Sequence, residues 1–219
     1  MRLDLDTPVR CVDGGFGELA DVVIDPGTRR LTHLVVQPKH GHGLARLVSI
    51  DTVDDRETRH EVCLGCTIEW LVDSKPIQES AYLPPGQYLT GEADWDVGIQ
   101  ELFPLPQYGS LGTQALGAGI DMDYEQPVAV RYHRVPKGGI ELGRESPVTS
   151  SDGDHVGHVV GFVVDEDGQI VHFILEHGHL WGKRHLAIPA GAIHVLETDG
   201  VTLSLSSDAV GDLKPVPRS

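Results

Sequence analysis

One pattern of residues occurs twice at a fixed distance, and this repeat constrains the fold more than any single motif. Thr7-Pro8-Val9 corresponds to Ser146-Pro147-Val148, and Lys75-Pro76-Ile77 corresponds to Lys214-Pro215-Val216. Both pairs are 139 positions apart, since 146 − 7 and 214 − 75 give the same number. Two copies of a compact unit joined by unmatched sequence define an architecture before any motif is considered. We therefore predict an internal duplication.

The repeat divides the chain of 219 residues into three parts. We predict one domain over residues 1–77, a connecting segment over 78–139 and a second domain over 140–219. A unit of roughly 70 residues buries only about 60% of the surface that its unfolded chain exposes. Each domain is therefore expected to pack against the other, against the connecting segment or against another chain, so that a homo-oligomer is one possible state.

Both halves contain strand-like runs that are rich in β-branched residues and bounded by turn residues. Residues 17–25 and 157–165 are each followed by a turn and a second run, at 31–37 and 170–176, which predicts a hairpin in each half. Asp167-Gly168 is the clearer of the two turns, because glycine tolerates positive φ. The other predicted elements are strands at 44–50, 184–188, 194–197 and 201–205, and helical turns at 67–72 and 207–213 with Thr67 and Ser207 as N-caps. The pattern predicts an all-β fold of two small antiparallel β-barrels.

The connecting segment has no counterpart in the repeat, and we predict that it is irregular. Proline and glycine interrupt it, as in Leu83-Pro84-Pro85-Gly86, and neither residue favours the interior of a regular element. The segment is nevertheless rich in aromatic residues, which include Tyr82, Tyr88, Trp95, Phe103, Tyr108, Tyr124 and Tyr132. Disordered linkers are poor in aromatic residues, so we predict that these rings pack on the barrels. The alternative is a solvated tether.

Three stretches of the sequence are similar to one known family. They are residues 17–26, residues 31–36, and residues 178–184 leading to Ala187-Ile188-Pro189. In these stretches the chain resembles the PRC-barrel proteins, and in particular tandem PRC-barrel proteins of unassigned function. The resemblance implies a small β-barrel in each half.

The family supplies docking modules in two known settings. Its barrel is the cytoplasmic part of the photosynthetic reaction-centre H subunit and the C-terminal domain of a ribosome-maturation factor. The H subunit has a membrane helix, for which this sequence offers no apolar stretch near the ~18 residues required. The ribosome factor pairs its barrel with a different N-terminal barrel, whereas here the second unit is PRC-like. Neither specific role is therefore transferred to this chain.

The chain is strongly acidic, which limits the partners it is expected to bind. Asp and Glu total 33 against 17 Lys and Arg, for a formal charge of −16, and the longest basic run is Arg29-Arg30. A protein that binds nucleic acid or an anionic membrane needs clustered cations, so neither is an expected partner. Acidic charge favours the approach of a basic protein. The charged N-terminus and the lack of a long apolar stretch predict a cytoplasmic protein without membrane insertion.

Two His-Gly-His turns are the most suggestive candidates for a ligand site. His40-Gly41-His42 in the first half corresponds to His177-Gly178-His179 in the second. Two imidazoles at a turn could ligate zinc, nickel or copper, with His172 or His185 as a third ligand. The ligand set is incomplete, because the first half replaces Glu176 by glutamine. We therefore predict no metal site, and keep a metal- or small-ligand-binding module as the alternative function.

The remaining candidates have a structural interpretation. His33 and His172 occupy matched positions in predicted strands and are expected to be partly buried, neutral and hydrogen-bonded. Cys63-Leu64-Gly65-Cys66 has the spacing of a redox dithiol or half a zinc site, but the βαβ context or second cysteine pair that these need is missing. With Cys11 the cysteines form an odd, sparse set, which argues against a disulfide framework.

No motif in the sequence nominates a catalytic residue. The serines lack a Gly-x-Ser-x-Gly setting, and no glycine-rich phosphate loop joins a strand to a helix. Carboxylates such as those of Asp152-Gly153-Asp154 are typical of turns. We therefore predict a protein without enzymatic activity or cofactor, which acts as a scaffold or adaptor and docks a protein partner.

Overall fold

The fold is mostly β, with two large sheets and one small one. A computed structural model describes residues 1–39, 43–54, 61–74, 76–83, 95–104, 128–178, 182–198 and 200–217, and only the backbone of 78–83, 95–104 and 128–134. The elements in chain order are β1 (Arg2–Asp4), β2 (Pro8–Cys11), β3 (Gly14–Asp25), β4 (Arg30–Pro38), β5 (Arg46–Ser49), β6 (Val62–Cys63), α1 (Ile68–Asp73), β7 (Gln78–Leu83), β8 (Trp95–Pro104), β9 (Val128–Pro136), β10 (Ile140–Gly143), β11 (Pro147–Thr149), β12 (His155–Val164), β13 (Ile170–His177), β14 (Arg184–Pro189), β15 (Ile193–Glu197), β16 (Gly200–Leu203), α2 (Ser207–Gly211) and β17 (Pro215–Val216). Short 3₁₀ turns follow β5 at Ile50–Thr52 and β14 at Ala190–Ala192.

The two large sheets are open and mixed, which corrects the prediction of closed antiparallel barrels. The first has the order β5-β4-β3-β2-β6, and the second has the order β15-β16-β11-β12-β13-β14-β17. Each contains one parallel pair, β2 with β6 and β11 with β16. Among the described residues, no strand pairing closes either sheet on itself. Alternation in the sequence identifies strands, but it does not specify the partner of an edge strand, so it does not determine whether a sheet closes.

The central hairpin of each large sheet has the same register. β3 pairs with β4 and β12 pairs with β13, as predicted, and a β-bulge interrupts each hairpin at the corresponding place. The bulge lies between Leu19 and Asp21 in β3 and between Val159 and Gly161 in β12. Gly168 in the second hairpin turn has a φ of 77°, which agrees with its predicted role. The duplication itself remains a prediction, which the matching registers support.

A short strand from each half pairs with the sheet of the other half. β1 lies antiparallel to β12, with Leu3 opposite Phe162. β10 lies antiparallel to β3, with Leu142 opposite Val22. The strand pairing therefore crosses the predicted boundaries of 1–77 and 140–219 in both directions.

The two large sheets share one apolar core. Buried side chains from both halves form a single cluster, in which Leu3 is 1% exposed and Leu142 is 0% exposed. The rings of Phe162 and Phe173 lie edge to face in this cluster, with their centroids 5.1 Å apart. Because the cluster is continuous, the apolar face of each sheet is covered by residues of the other half.

The other face of the first sheet carries a second, smaller cluster. Val23 in β3 and Val35 in β4 pack there with Ile77 and with Val135 at the end of β9. The end of the connecting segment therefore packs on the first half. β3 is buried on both faces over this stretch, which explains its continuous apolar run.

The prediction of an irregular connecting segment is wrong for β7, β8 and β9. These strands form an antiparallel sheet in the order β7-β9-β8. Pro104 and Pro136 stand at strand ends, where a missing N–H does not interrupt the ladder, and a bulge between Ile99 and Glu101 accommodates a local change of register. The predicted packing of Trp95 and the other rings concerns side chains outside the described part of the chain.

The two short helices begin close to the predicted residues. Thr67 is the N-cap of α1, and its hydroxyl accepts a hydrogen bond from the backbone N–H of Trp70 at 3.2 Å. The N-cap of α2 is Ser206, one residue before the predicted Ser207. Ser207 instead donates its hydroxyl to the carboxylate of Asp152, at 3.1 Å. Two adjacent serines offer the same cap chemistry, so the sequence did not distinguish them.

β1 and β10 are the two strands that the halves exchange. Shortening the buried leucine of either exchanged strand should destabilise the whole protein. Leu142→Ala and Leu3→Ala each remove a fully buried side chain that connects the two halves, and each should lower the free energy of unfolding by about 2–5 kcal/mol. Urea denaturation followed by circular dichroism should show one transition for both variants. An exposed change, Lys137→Ala, should shift stability by less than about 0.5 kcal/mol. A second transition in either leucine variant would show that the halves fold independently.

Candidate functional site

The His-Gly-His turns are only partly described by the structure. His40, Gly41, His42 and His179 lie outside the described residues. His177 ends β13, and its Nδ1 lies 2.7 Å from the carbonyl oxygen of Val156. A carbonyl can only accept, so Nδ1 carries the proton in this contact.

Glu176, the carboxylate next to this turn, is engaged in ionic contacts. It accepts a hydrogen bond from Lys183 Nζ at 2.6 Å, and His185 Nε2 lies 3.8 Å from its second oxygen. The hydrogen bond from Lys183 holds the pKa of Glu176 below its usual value. Within the described ranges, no three His, Cys, Asp or Glu side chains are grouped to hold a metal ion. That the His-Gly-His turns hold no metal stays a prediction.

His33 has the predicted character of a structural histidine. Its Nδ1 lies 3.0 Å from Thr32 Oγ1. Burial lowers the pKa of His33, although the charge of Asp51 acts in the opposite direction. The imidazole is therefore neutral at neutral pH. His172 occupies the corresponding position in β13, opposite Val163.

The structure brings Cys66 next to Cys11. Cys11 is buried in β2, and the backbone N–H of Val12 donates to the carbonyl of Cys66 at 3.0 Å. Burial and the adjacent thiol of Cys66 raise the pKa of Cys11 to about 12. The Cys11 thiol is therefore protonated and a poor nucleophile at neutral pH. Cys63, the other member of the C-x-x-C spacing, lies in β6 opposite Arg10.

A carboxyl pair that the sequence analysis did not predict lies where β10 joins the first sheet. Gly143 in β10 stands opposite Asp21 in β3, so that Glu141 in β10 comes within hydrogen-bonding reach of Asp21. Burial, with the charge and hydrogen bond of Asp21, raises the pKa of Glu141 to about 8. Burial also raises the pKa of Asp21. One proton is therefore retained between two carboxyl groups at neutral pH.

This pair depends on the strand exchange, since its members are 120 positions apart (141 − 21). The corresponding place in the other half has different chemistry: Gly161 faces Asp4, whose carboxylate accepts a hydrogen bond from Arg2 Nε at 2.8 Å. The sequence signal for this pair is Asp21, an aspartate inside a run of β-branched residues. Periodicity does not identify β10 as the partner of this strand.

The Asp21–Glu141 pair should make stability depend on pH. Glu141 keeps its proton in the folded protein up to about pH 8, whereas the ordinary pKa of a glutamate is 4.5. The stability that the protonated Glu141 contributes to the fold is therefore fully present below pH 4.5 and is lost as pH rises through about 8. In urea titrations from pH 5 to 9, Glu141→Gln should gain stability relative to wild type, by at most about 1.4 kcal/mol per pH unit.

Glu197, exposed at the end of β15, provides a matched control. Glu197→Gln should retain the pH dependence of the wild type. A Glu141→Gln protein whose stability parallels that of wild type at every pH would show that the pair does not retain a proton.

The surface around α1 exposes large apolar side chains. Trp70 is 54% exposed, Val72 is 49% exposed and Val12, which lies beside the start of α1, is 64% exposed. We call these three residues the α1 surface. The corresponding residues of the second half, by the matched N-caps and strands, are Ala209, Gly211 and Ser151. The apolar character of this surface is therefore particular to the first half.

A cleft lies next to the α1 surface. It has a volume of about 290 Å³, and the guanidinium of Arg46 donates to the carbonyl of Val72 at its wall, at 3.0 Å. The lining residues are Phe16, Pro38, Lys39, Gly43, Arg46 and Val72. The cleft therefore combines apolar side chains with the two cationic residues Lys39 and Arg46.

Comparison with known protein families identifies the second half. The model of the PRC-barrel domain matches residues 144–209, from the turn before β11 into α2. Residues 144–209 are therefore a PRC-barrel domain, which confirms the resemblance for this part of the sequence. No curated protein matches the chain. Among the described residues, no helix has the length and apolar composition needed to cross a bilayer.

Proposed function

We propose that this PRC-barrel protein is a non-enzymatic scaffold that docks a protein partner through the α1 surface. The observation that carries the proposal is the exposure of Trp70, Val72 and Val12 on one half only. Large apolar side chains that a folded domain leaves in contact with water are candidates for an interaction surface. Tryptophan is enriched among the residues that contribute most to binding.

The charge of the chain favours a basic partner. With a formal charge of −16, the protein attracts cationic surfaces at long range and repels nucleic acid and anionic membranes. Steering of this kind increases the association rate more than the affinity. The apolar α1 surface then supplies the affinity. A cytoplasmic location agrees with this role and is part of the proposal.

We further infer that residues 1–77 form a second PRC-like unit, so that the protein is a tandem arrangement from an internal duplication. The support is the common register of the β3–β4 and β12–β13 hairpins, their corresponding bulges and the parallel pairs at matching places. On this view α2 carries small residues at the positions where α1 carries the apolar α1 surface.

Trp70→Ala should impair partner binding without unfolding the protein. Truncation of a binding hot spot costs about 2 kcal/mol or more, or roughly a 30-fold loss of affinity. Partners would be identified by proximity labelling in the source cells, and the dissociation constant of the purified pair would then be measured for each variant.

Val171→Ala is the matched control, because Val171 is also apolar and 41% exposed but lies in the second half. It should bind the partner as wild type does. If wild-type protein sediments as a dimer and Trp70→Ala as a monomer, the partner is a second copy of the chain. Equal affinity of Trp70→Ala and wild type for every identified partner would contradict the proposal.

A further inference from the structure

The tips of the two central hairpins meet between the large sheets. Leu31 N–H donates to the carbonyl of Gly168 at 3.0 Å, and Ile170 N–H donates to the carbonyl of Arg29 at 3.2 Å. By the common register of the hairpins, Leu31 corresponds to Ile170 and Arg29 corresponds to Gly168. The two hydrogen bonds are therefore equivalent, and the contact has a local two-fold relation. Arg29 and Gly168 both have positive φ, 55° and 77°.

The side chain of Arg29 fills a place between the two halves. Its Nη1 donates to the carbonyl of Ala190 at 2.8 Å, and its Nη2 donates to the carbonyl of Ile193 at 3.1 Å. The first carbonyl belongs to the 3₁₀ turn that follows β14, and the second belongs to Ile193, the C-cap residue of that turn and the first residue of β15. A guanidinium is thus recognised by the backbone of this turn, in the fork geometry that suits two acceptors.

The other side of the two-fold contact has no such side chain. The 3₁₀ turn after β5 corresponds to the turn after β14. In the first turn the N–H of Val53 donates to the carbonyl of Ile50, and in the second the N–H of Ile193 donates to the carbonyl of Ala190. Ile50 and Val53 therefore take the places of Ala190 and Ile193. Gly168 stands where the first half has arginine, and a cavity of about 520 Å³ lies beside it, lined by Ile50, Val53 and Gly168 among others.

The charges around this cavity favour a cation. The acidic residues Asp51, Asp165, Glu166 and Asp167 line it, together with two cationic residues, Arg30 and the N-terminal Met1, whose α-amino group donates to the carbonyl of Val164 at 2.7 Å. Asp165 also accepts backbone N–H groups of its own turn, so its position is fixed. Four acidic residues against these two cations leave a net negative charge around the cavity.

We propose that this cavity, which we call the Gly168 cavity, binds the guanidinium group of an arginine side chain from a docked protein. The ligand would occupy the place that Arg29 occupies on the other side of the two-fold contact, with the Ile50 and Val53 backbone as acceptors and Asp51 as counter-ion. The inference rests on the proposed docking function only for the source of the arginine; the chemistry of the cavity stands on the geometry of Arg29. A lysine would fit less well, because an ammonium cannot make two parallel hydrogen bonds.

The test uses N-acetyl-arginine methylamide as the probe and the full-length protein. In two-dimensional NMR titrations, the amide signals of Val53 and Gly168 should shift with a dissociation constant on the order of 1 mM. N-acetyl-lysine methylamide should bind at least about 5-fold more weakly, and N-acetyl-citrulline methylamide, which has the same shape without the charge, should bind more weakly still.

Gly168→Arg should fill the cavity from within and weaken the probe at least about 10-fold. A Cβ at Gly168 meets no atom closer than 3.4 Å, and Arg29 shows that arginine adopts the required backbone conformation in this fold. Gly168→Ala carries the same backbone cost without the guanidinium and should bind the probe within about 2-fold of wild type. Asp51→Asn should weaken the probe about 3-fold, and decides the matter if Gly168→Arg does not fold.

Absence of shifts at Val53 and Gly168 up to 20-fold the expected dissociation constant, or about 20 mM on that scale, would overturn the proposal. The proposal would be overturned equally if Asp51→Asn and a folded Gly168→Arg protein both bound the probe as tightly as wild type. The outcomes separate the two proposals. If the probe binds but no protein partner is found, the docking function alone is refuted. If a partner binds through Trp70 and its affinity is unchanged by Gly168→Arg, a docked protein is not the source of the arginine.

Discussion

The structure depends on the reciprocal pairing of β1 with β12 and of β10 with β3. Each long central strand has one edge occupied in succession by a strand of its own half and by a strand of the other half. The exchanged strands are only three and four residues long, so backbone hydrogen bonds contribute little of their attachment. Their buried leucines complete the shared core. A half of this size has too little interior to fold strongly, and the exchange gives each half the apolar cover that it lacks.

The exchange also determines where unusual chemistry can arise. The two halves differ in residue type at several matched positions. Where they differ, the fold presents something new: the protonated Asp21–Glu141 pair opposite the Arg2–Asp4 pair, Trp70 where the second half has an alanine, and Gly168 where the first half has an arginine. A fold built from two similar halves can keep one version of a position for packing and use the other for binding. This is the physical basis of our proposals that a partner docks at the α1 surface and that a guanidinium binds in the Gly168 cavity.

The sequence predicted local structure well and long-range partners poorly. The β3–β4 and β12–β13 hairpins and the Thr67 cap follow from alternation, turn residues and capping, which act over a few positions. The pairing of β10 with β3 joins residues more than 100 positions apart through a strand with no distinctive pattern, so periodicity could not identify it, and the Asp21–Glu141 pair was missed with it. Sheet formation by β7, β8 and β9 was missed because proline and glycine were read as breakers, although the prolines within these strands occur at their ends. The His-Gly-His turns drew attention by composition, whereas the Arg29–Gly168 difference acquires meaning only when the two hairpin tips are seen to meet.

The central claim is that the exchanged strands make the two large sheets one cooperative unit. Native-state hydrogen exchange measures this most directly, because it reports an opening free energy for each backbone amide. The account predicts that the slowest amides of β3–β4 and of β12–β13 exchange with the same opening free energy and the same dependence on denaturant, since neither sheet can open while the other keeps its borrowed strand. Exchange of one hairpin through a distinctly lower opening, with the other still protected, would contradict it.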